Sequence, residues 1–145
     1  ENEKDIIGDT ADRCLALLKA VDRPGFRAAF DFANFVQVDE DTQEAWDKLK
    51  DYVTYIHIKD SDQAGRNVLA GTGEGKIEPI LRQAIEGGYE GFLTLEPHLA
   101  DFTGFAALEA EGAEHPDSIQ GEDAGAQGFS RQYQAVETML ERILK

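Results

Sequence analysis

Val53-Thr54-Tyr55-Ile56-His57-Ile58-Lys59-Asp60 is the stretch that decides the fold. Its first six residues are mostly β-branched or aromatic, which is the composition of a strand. The strand runs through His57 and opens into a loop over residues 60–75 rich in Gly, Asp and Asn. Two further segments share the design: Phe26-Arg27-Ala28-Ala29-Phe30-Asp31 and Phe92-Leu93-Thr94-Leu95-Glu96. In each, an apolar run closes on a group able to bind a metal, and a loop or turn follows. Helix-like stretches separate the three. Parallel strands joined by helices bring their carboxyl ends to one face of a sheet, so residues distant in sequence are expected to meet there.

The intervening sequence supports this alternation. Asp9 and Thr10 both suit a helix N-cap after Gly8, and Cys14, Leu17, Leu18 and Val21 follow at helical spacing. Asp22-Arg23-Pro24-Gly25 stops that helix, and residues 26–32 then read as a largely buried strand. A second helix follows Asp39-Glu40-Asp41-Thr42, with Ala45, Trp46 and Leu49 on its apolar side. Asn67-Val68-Leu69-Ala70 reads as a brief extended stretch. Pro79 suits the first turn of a third helix, buried through Ile80, Leu81, Ala84 and Ile85 and ended by Gly87-Gly88. Residues 99–128 read as a long loop or insertion with a helical middle over 105–111. A last helix is expected from about Ser130 to Leu144, lined by Phe129, Tyr133, Val136, Leu140 and Ile143. The order predicts an α/β fold of parallel βα units.

With 145 residues and 41% hydrophobic content, the chain is long enough for a single domain with a real core. Lys plus Arg number 14 against 29 Asp plus Glu, a formal net charge of −15 that repels phosphate backbones and anionic lipid. Neither nucleic acid nor a membrane is an expected partner, and no apolar run reaches the length of a membrane span. Cys14 is the single cysteine and falls on an apolar stripe, so nothing points to an oxidising compartment and a cytoplasmic location is expected. The chain opens on Glu and not Met, as a processed chain or a fragment would.

The site candidates are Glu1, in Glu1-Asn2-Glu3, with Asp31, His57 and Glu96. Taken singly, an acid at a strand end is often a loop cap, and a lone His is more often structural than a ligand. Their shared context points to a divalent-metal site, because carboxylates buried side by side repel unless a cation or protons neutralise them. Three oxygens and one nitrogen suit Mn²⁺ or Mg²⁺, with Co²⁺ or Zn²⁺ as alternatives. The run Gly71-Thr72-Gly73-Glu74-Gly75 lacks the spacing of nucleotide-binding glycine motifs and reads as a tight turn near the mouth of the site.

Glu1-Asn2-Glu3, Phe30-Asp31-Phe32-Ala33-Asn34-Phe35, His57-Ile58-Lys59-Asp60, Ala70-Gly71-Thr72-Gly73-Glu74-Gly75 and Leu95-Glu96-Pro97-His98 together resemble the xylose isomerase-like superfamily, the sugar (phosphate) isomerases and epimerases also called AP-endonuclease-2-type barrels. The resemblance implies a (β/α)8 TIM barrel of which this chain is the C-terminal half, since such a barrel takes about 250 residues. It implies that Glu1, Asp31, His57 and Glu96 are the metal ligands, Mn²⁺ being the expected ion. It implies further that Glu1 and Glu96 move a proton to and from a substrate carbon. Glu3, Lys59, Asp60, Arg66 and His98 fall where relatives contact substrate hydroxyl or phosphate groups, and Asn34 stands where several relatives carry a His.

The implied activity is a metal-dependent isomerisation or epimerisation of a sugar or sugar phosphate through an enediolate. An inactive fragment is one reading of the isolated chain, because the first barrel half of such enzymes supplies part of the substrate pocket. Two open sheet edges imply either a preceding half-barrel or association of two copies. The alternatives are a non-catalytic half-barrel used for assembly and a metal-dependent dehydratase or lyase on the same scaffold. A DNA-repair phosphodiesterase is disfavoured by the acidic charge.

Overall fold

In the computed structural model, which describes residues 1–100 and 119–145, helices and strands alternate. The order is α1 (Ala11–Val21), β1 (Ala28–Asp31), α2 (Phe32–Val36), α3 (Thr42–Leu49), a 3-10 turn (Lys50–Tyr52), β2 (Val53–Ile58), β3 (Asp60–Ser61), β4 (Asn67–Val68), α4 (Ile77–Glu86), β5 (Phe92–Leu95) and α5 (Ala124–Ile143). Short polar side chains set several of the helix starts. Thr10 accepts the Arg13 N–H at the head of α1, and Asp41 accepts those of Gln43 and Glu44 at the head of α3. Asp22 closes α1 in the left-handed region at φ 42°.

β1, β2 and β5 form a parallel sheet with β2 in the middle. The register pairs Asp31 with His57, His57 with Thr94 and Ile58 with Leu95. The Glu96 N–H carries the ladder one step further by donating to the Ile58 carbonyl at 3.2 Å. Asp31, His57 and Glu96 therefore leave the sheet at the same end. β3 and β4 form a small antiparallel hairpin beyond that end, pairing Asp60 with Val68 and Ser61 with Asn67.

The core lies between the sheet and its helices. Phe30, Ile56 and Ile58 pack there against Phe32, Phe35, Trp46, Leu49, Ile77, Ile80, Leu81, Val136 and Met139, all buried. Phe30 touches three aromatic neighbours, with ring centroids 5.2 Å from Phe32, 5.0 Å from Phe35 and 5.4 Å from Trp46. Fully burying side chains of this size contributes roughly 1.5–3 kcal/mol each. This layer holds the strands in place and so fixes their ends.

The structure corrects three expectations. The strand predicted over 26–32 spans only Ala28–Asp31, because the Asp31 carboxylate accepts the Asn34 N–H and starts α2 at Phe32. On α1, Ala11 and Leu18 are buried, while Leu17 and Val21 are exposed and Cys14 is half-buried with its thiol on the Gly8 carbonyl. α5 begins at Ala124, six residues ahead of the predicted start, which shortens the long connection. The helix expected over 105–111 lies outside the described residues. No described helix is long and apolar enough to cross a membrane.

Candidate metal centre

Glu1, Asp31, His57 and Glu96 each offer a ligand atom within 4.8 Å of the other three. His57 Nδ1 lies 3.1 Å from Glu96 Oε2 and 3.4 Å from Glu1 Oε1. Asp31 is wholly buried, and its two oxygens differ. Oδ1 caps α2, whereas Oδ2 makes no hydrogen bond and has an ion pair with Lys59 at 3.3 Å. The Lys59 ammonium also reaches Glu96 Oε2 at 3.3 Å, so one buried cation serves two of the carboxylates.

These charges act on one another. Burial pushes the Asp31 carboxyl up to about 8 against the pull of Lys59 and the Asn34 N–H, and the neighbouring Glu96 and Glu1 charges push the same way. Glu96 is held well below the usual carboxylate range by the neighbouring His98 ring, aided by Lys59 and His57. For Lys59, burial alone would lower the pKa, but Asp31 and Glu96 outweigh it and raise it.

The donor set passes a test of fit for a divalent cation. A buried carboxylate oxygen without a hydrogen bond is aimed into the group, and three carboxylates crowd together with, among the described residues, one lysine paired to them. Carboxylate oxygens with one imidazole nitrogen are the ligands of hard to borderline divalent ions.

The remaining candidates divide. Glu3 borders the group through the Asn34 amide at 3.4 Å, and His98 Nε2 lies 3.6 Å from Glu96 Oε1. Asp60 does not join them. Its buried carboxylate accepts the backbone N–H groups of Ser61, Gly71, Gly73 and Gly75. Burial raises its pKa even against those four donors. Arg66 faces Asp62 in a two-nitrogen ion pair at 2.6 and 2.8 Å within the β3–β4 loop. The glycine run is thus a turn wound around Asp60.

Two buried amides at the centre were given no role by sequence reasoning. Asn2 exchanges two hydrogen bonds with the Asp31 backbone, at 3.0 and 2.9 Å, and Asn34 donates to the Asn2 carbonyl at 2.9 Å. Asn2 stands inside the quoted run Glu1-Asn2-Glu3, but no spacing rule links it to a residue 29 positions away.

Comparisons with known proteins identify the family and the fold. The profile of the xylose isomerase-like TIM barrel family matches residues 1–124. Over 65 residues the chain is 37% identical to fructoselysine 3-epimerase of Escherichia coli O157:H7, covering 44% of this chain and 23% of that protein. A xylose isomerase domain protein from Planctomyces limnophilus is similar over 60% of this chain and 35% of its own, with 34% identity and a TM-score of 0.52. A xylose isomerase-like TIM barrel protein from Mycobacterium smegmatis, solved in complex with magnesium, is similar in fold over 99% of this chain and 44% of its own, with 21% identity and a TM-score of 0.64. The chain thus spans less than half the length of each of these relatives.

Proposed function

Because the chain belongs to the xylose isomerase-like TIM barrel family, we propose that it carries the metal-binding and proton-transferring end of a sugar, or sugar phosphate, isomerase or epimerase. The observation that carries this reading is the meeting of Glu1, Asp31, His57 and Glu96 at the carboxyl end of a parallel sheet. The epimerase similarity over 65 residues points to the same class of substrate. Those four residues would hold the cation, with Mn²⁺ the first choice and Mg²⁺, Co²⁺ or Zn²⁺ as alternatives. When bound, the cation would supply Lewis-acid charge that lowers the cost of negative charge on substrate oxygens.

The side chains then divide the work. Glu96 turns Oε2 toward His57 and Lys59 and Oε1 toward His98, so one oxygen can face the cation while the other is free to handle a proton. One glutamate takes a proton from the carbon next to a ketose carbonyl, leaving an enediolate. The other returns a proton, to the opposite face of that carbon for epimerisation or to the neighbouring carbon for isomerisation. Lys59, Glu3 and His98 border the group and would bind substrate hydroxyl or phosphate oxygens. Asp60 and Arg66, engaged with the loop backbone and with Asp62, support the loop instead. One domain, with residues 96–123 linking β5 to α5, and neither nucleic acid nor a membrane as partner complete the reading.

The test is a Mn²⁺ titration of the full chain followed by thermal denaturation, then ketoses incubated in D₂O with the loaded protein. Mn²⁺ should raise the melting temperature, and His57→Ala and Glu96→Ala should each remove the rise. Deuterium should enter the carbon beside the carbonyl, and Glu96→Gln should slow that exchange about 10²–10⁴-fold. A melting temperature that ignores Mn²⁺ in the wild-type chain would sink the metal-site reading.

A further inference from the structure

Among the described residues β1 has β2 on one side only, yet the backbone N–H and C=O of its last residue, Asp31, are both engaged by a single side chain. The Asn2 amide accepts the Asp31 N–H through Oδ1 and donates to the Asp31 C=O through Nδ2, at 2.9 and 3.0 Å. A primary amide carries a donor and an acceptor in one plane, as a peptide group does, so it can take the place of a neighbouring strand at that position. Asn34 closes the circuit. Its backbone N–H donates to Asp31 Oδ1 at 2.9 Å, and its side chain donates to the Asn2 carbonyl at 2.9 Å. The same Nδ2 lies 3.5 Å from Glu1 Oε1 and 3.4 Å from Glu3 Oε2. Asn2 and Asn34 are only 2% and 1% exposed, so neither amide has water as an alternative partner.

Glu1 is attached directly to this clamp. Among the described residues the stretch from Glu1 to Thr10 carries no helix or strand, and the amide contacts are what the structure shows beside the carboxylate. We propose that Asn2 and Asn34 are positioning residues that hold the Glu1 carboxylate beside Asp31 and His57. The inference rests on the metal-site reading above and deepens it: two buried amides orient the fourth ligand.

Two measurements on the full chain test this. The first is backbone amide hydrogen exchange without metal. The Asp31 N–H should be protected in the wild-type chain, unprotected in Asn2→Ala, and still protected in Glu1→Gln. Rapid exchange of Asp31 in the wild-type chain overturns the clamp. The second is Mn²⁺ affinity. Asn2→Ala and Asn34→Ala should each weaken binding about 10–100-fold, as loss of groups that orient ligands does. The double variant Glu1→Gln/Asn2→Ala should lose no more than Glu1→Gln alone, because both changes remove the same ligand. Fully additive losses overturn the positioning role. Should Asn2→Ala fail to fold, the near-isosteric Asn2→Leu fills the same space with neither donor nor acceptor, and the same two readouts apply. If the wild-type chain binds no Mn²⁺, the site reading falls, and hydrogen exchange at Asp31 decides the clamp by itself.

Discussion

Both carboxylate oxygens of Asp60 are occupied by backbone N–H groups, Ser61 and Gly75 on Oδ1 and Gly71 and Gly73 on Oδ2. This explains why glycines recur at alternate positions here. A Cβ on Gly73 would meet the Ser61 carbonyl and sit 2.6 Å from Asp60 Oδ1, and one on Gly75 would lie 2.7 Å from the same oxygen. Asp60→Ala would leave the loop donors without an acceptor in a buried place. It should cost at least about 3 kcal/mol in urea unfolding, given 1–3 kcal/mol per buried unsatisfied group. Gly73→Ala should cost roughly 1–3 kcal/mol through crowding. Gly25→Ala, with nothing within 4 Å of the added carbon, should stay within about 0.5 kcal/mol. An unchanged urea midpoint in Asp60→Ala would show that the loop does not depend on that side chain.

Among the elements, α5 is tied to the sheet and to α4 by unlike contacts. Gln132, 1% exposed, donates to the Ile58 carbonyl at 3.0 Å and accepts the Ala70 N–H at 3.1 Å. Gln132→Leu leaves Ile58 still bonded to the Glu96 N–H but strips Ala70 of its partner, so stability should fall by roughly 1–3 kcal/mol, read as a lower melting temperature. Arg142 instead meets Glu78 of α4 at the exposed surface. That ion pair should matter less and fade as salt rises. Its pH dependence has a definite sign. The Arg142 hydrogen bond holds the Glu78 carboxyl below its ordinary 4.5, so whatever the pair contributes is present above that pH and is lost as pH falls through the folded-state value. Melting curves of Arg142→Ala and wild type should therefore converge at acid pH.

For the whole molecule, the face of the sheet opposite the helix layer is the open question. Phe92 is 72% exposed, with its ring 5.9 Å from that of Tyr55. Beside β1, Ile6, Ile7, Cys14, Leu17 and Phe26 line a groove of about 980 Å³. Exposed apolar surface next to an unpaired strand favours association. The 145-residue chain by itself should self-associate as its concentration rises in sedimentation velocity, and Phe92→Lys should weaken that association. A chain that stays monomeric at every concentration would show that this face does not drive pairing.

The strand that carries His57 and the strand that leads to Glu96 were legible because their residue types and the loops that follow them are local properties of the chain. The same holds for the alternation of helix and strand, and for the family resemblance carried by short blocks in order. Boundaries were less legible. An apolar run such as residues 26–36 has no periodicity that separates a short strand from the helical turn after it, and only the Asp31 cap divides them. On α1, apolar spacing predicted a buried face, but what lies opposite a helix is not a property of the helix. The partners of Asp60, Asn2 and Gln132, at separations of 15, 29 and 74 residues, belong to the tertiary structure alone. Local sequence sets which groups a strand or turn can present. Which buried donor meets which acceptor depends on how distant segments pack, and here that packing turned one acid of the expected site into a loop anchor and an unremarked asparagine into a clamp on the Asp31 backbone.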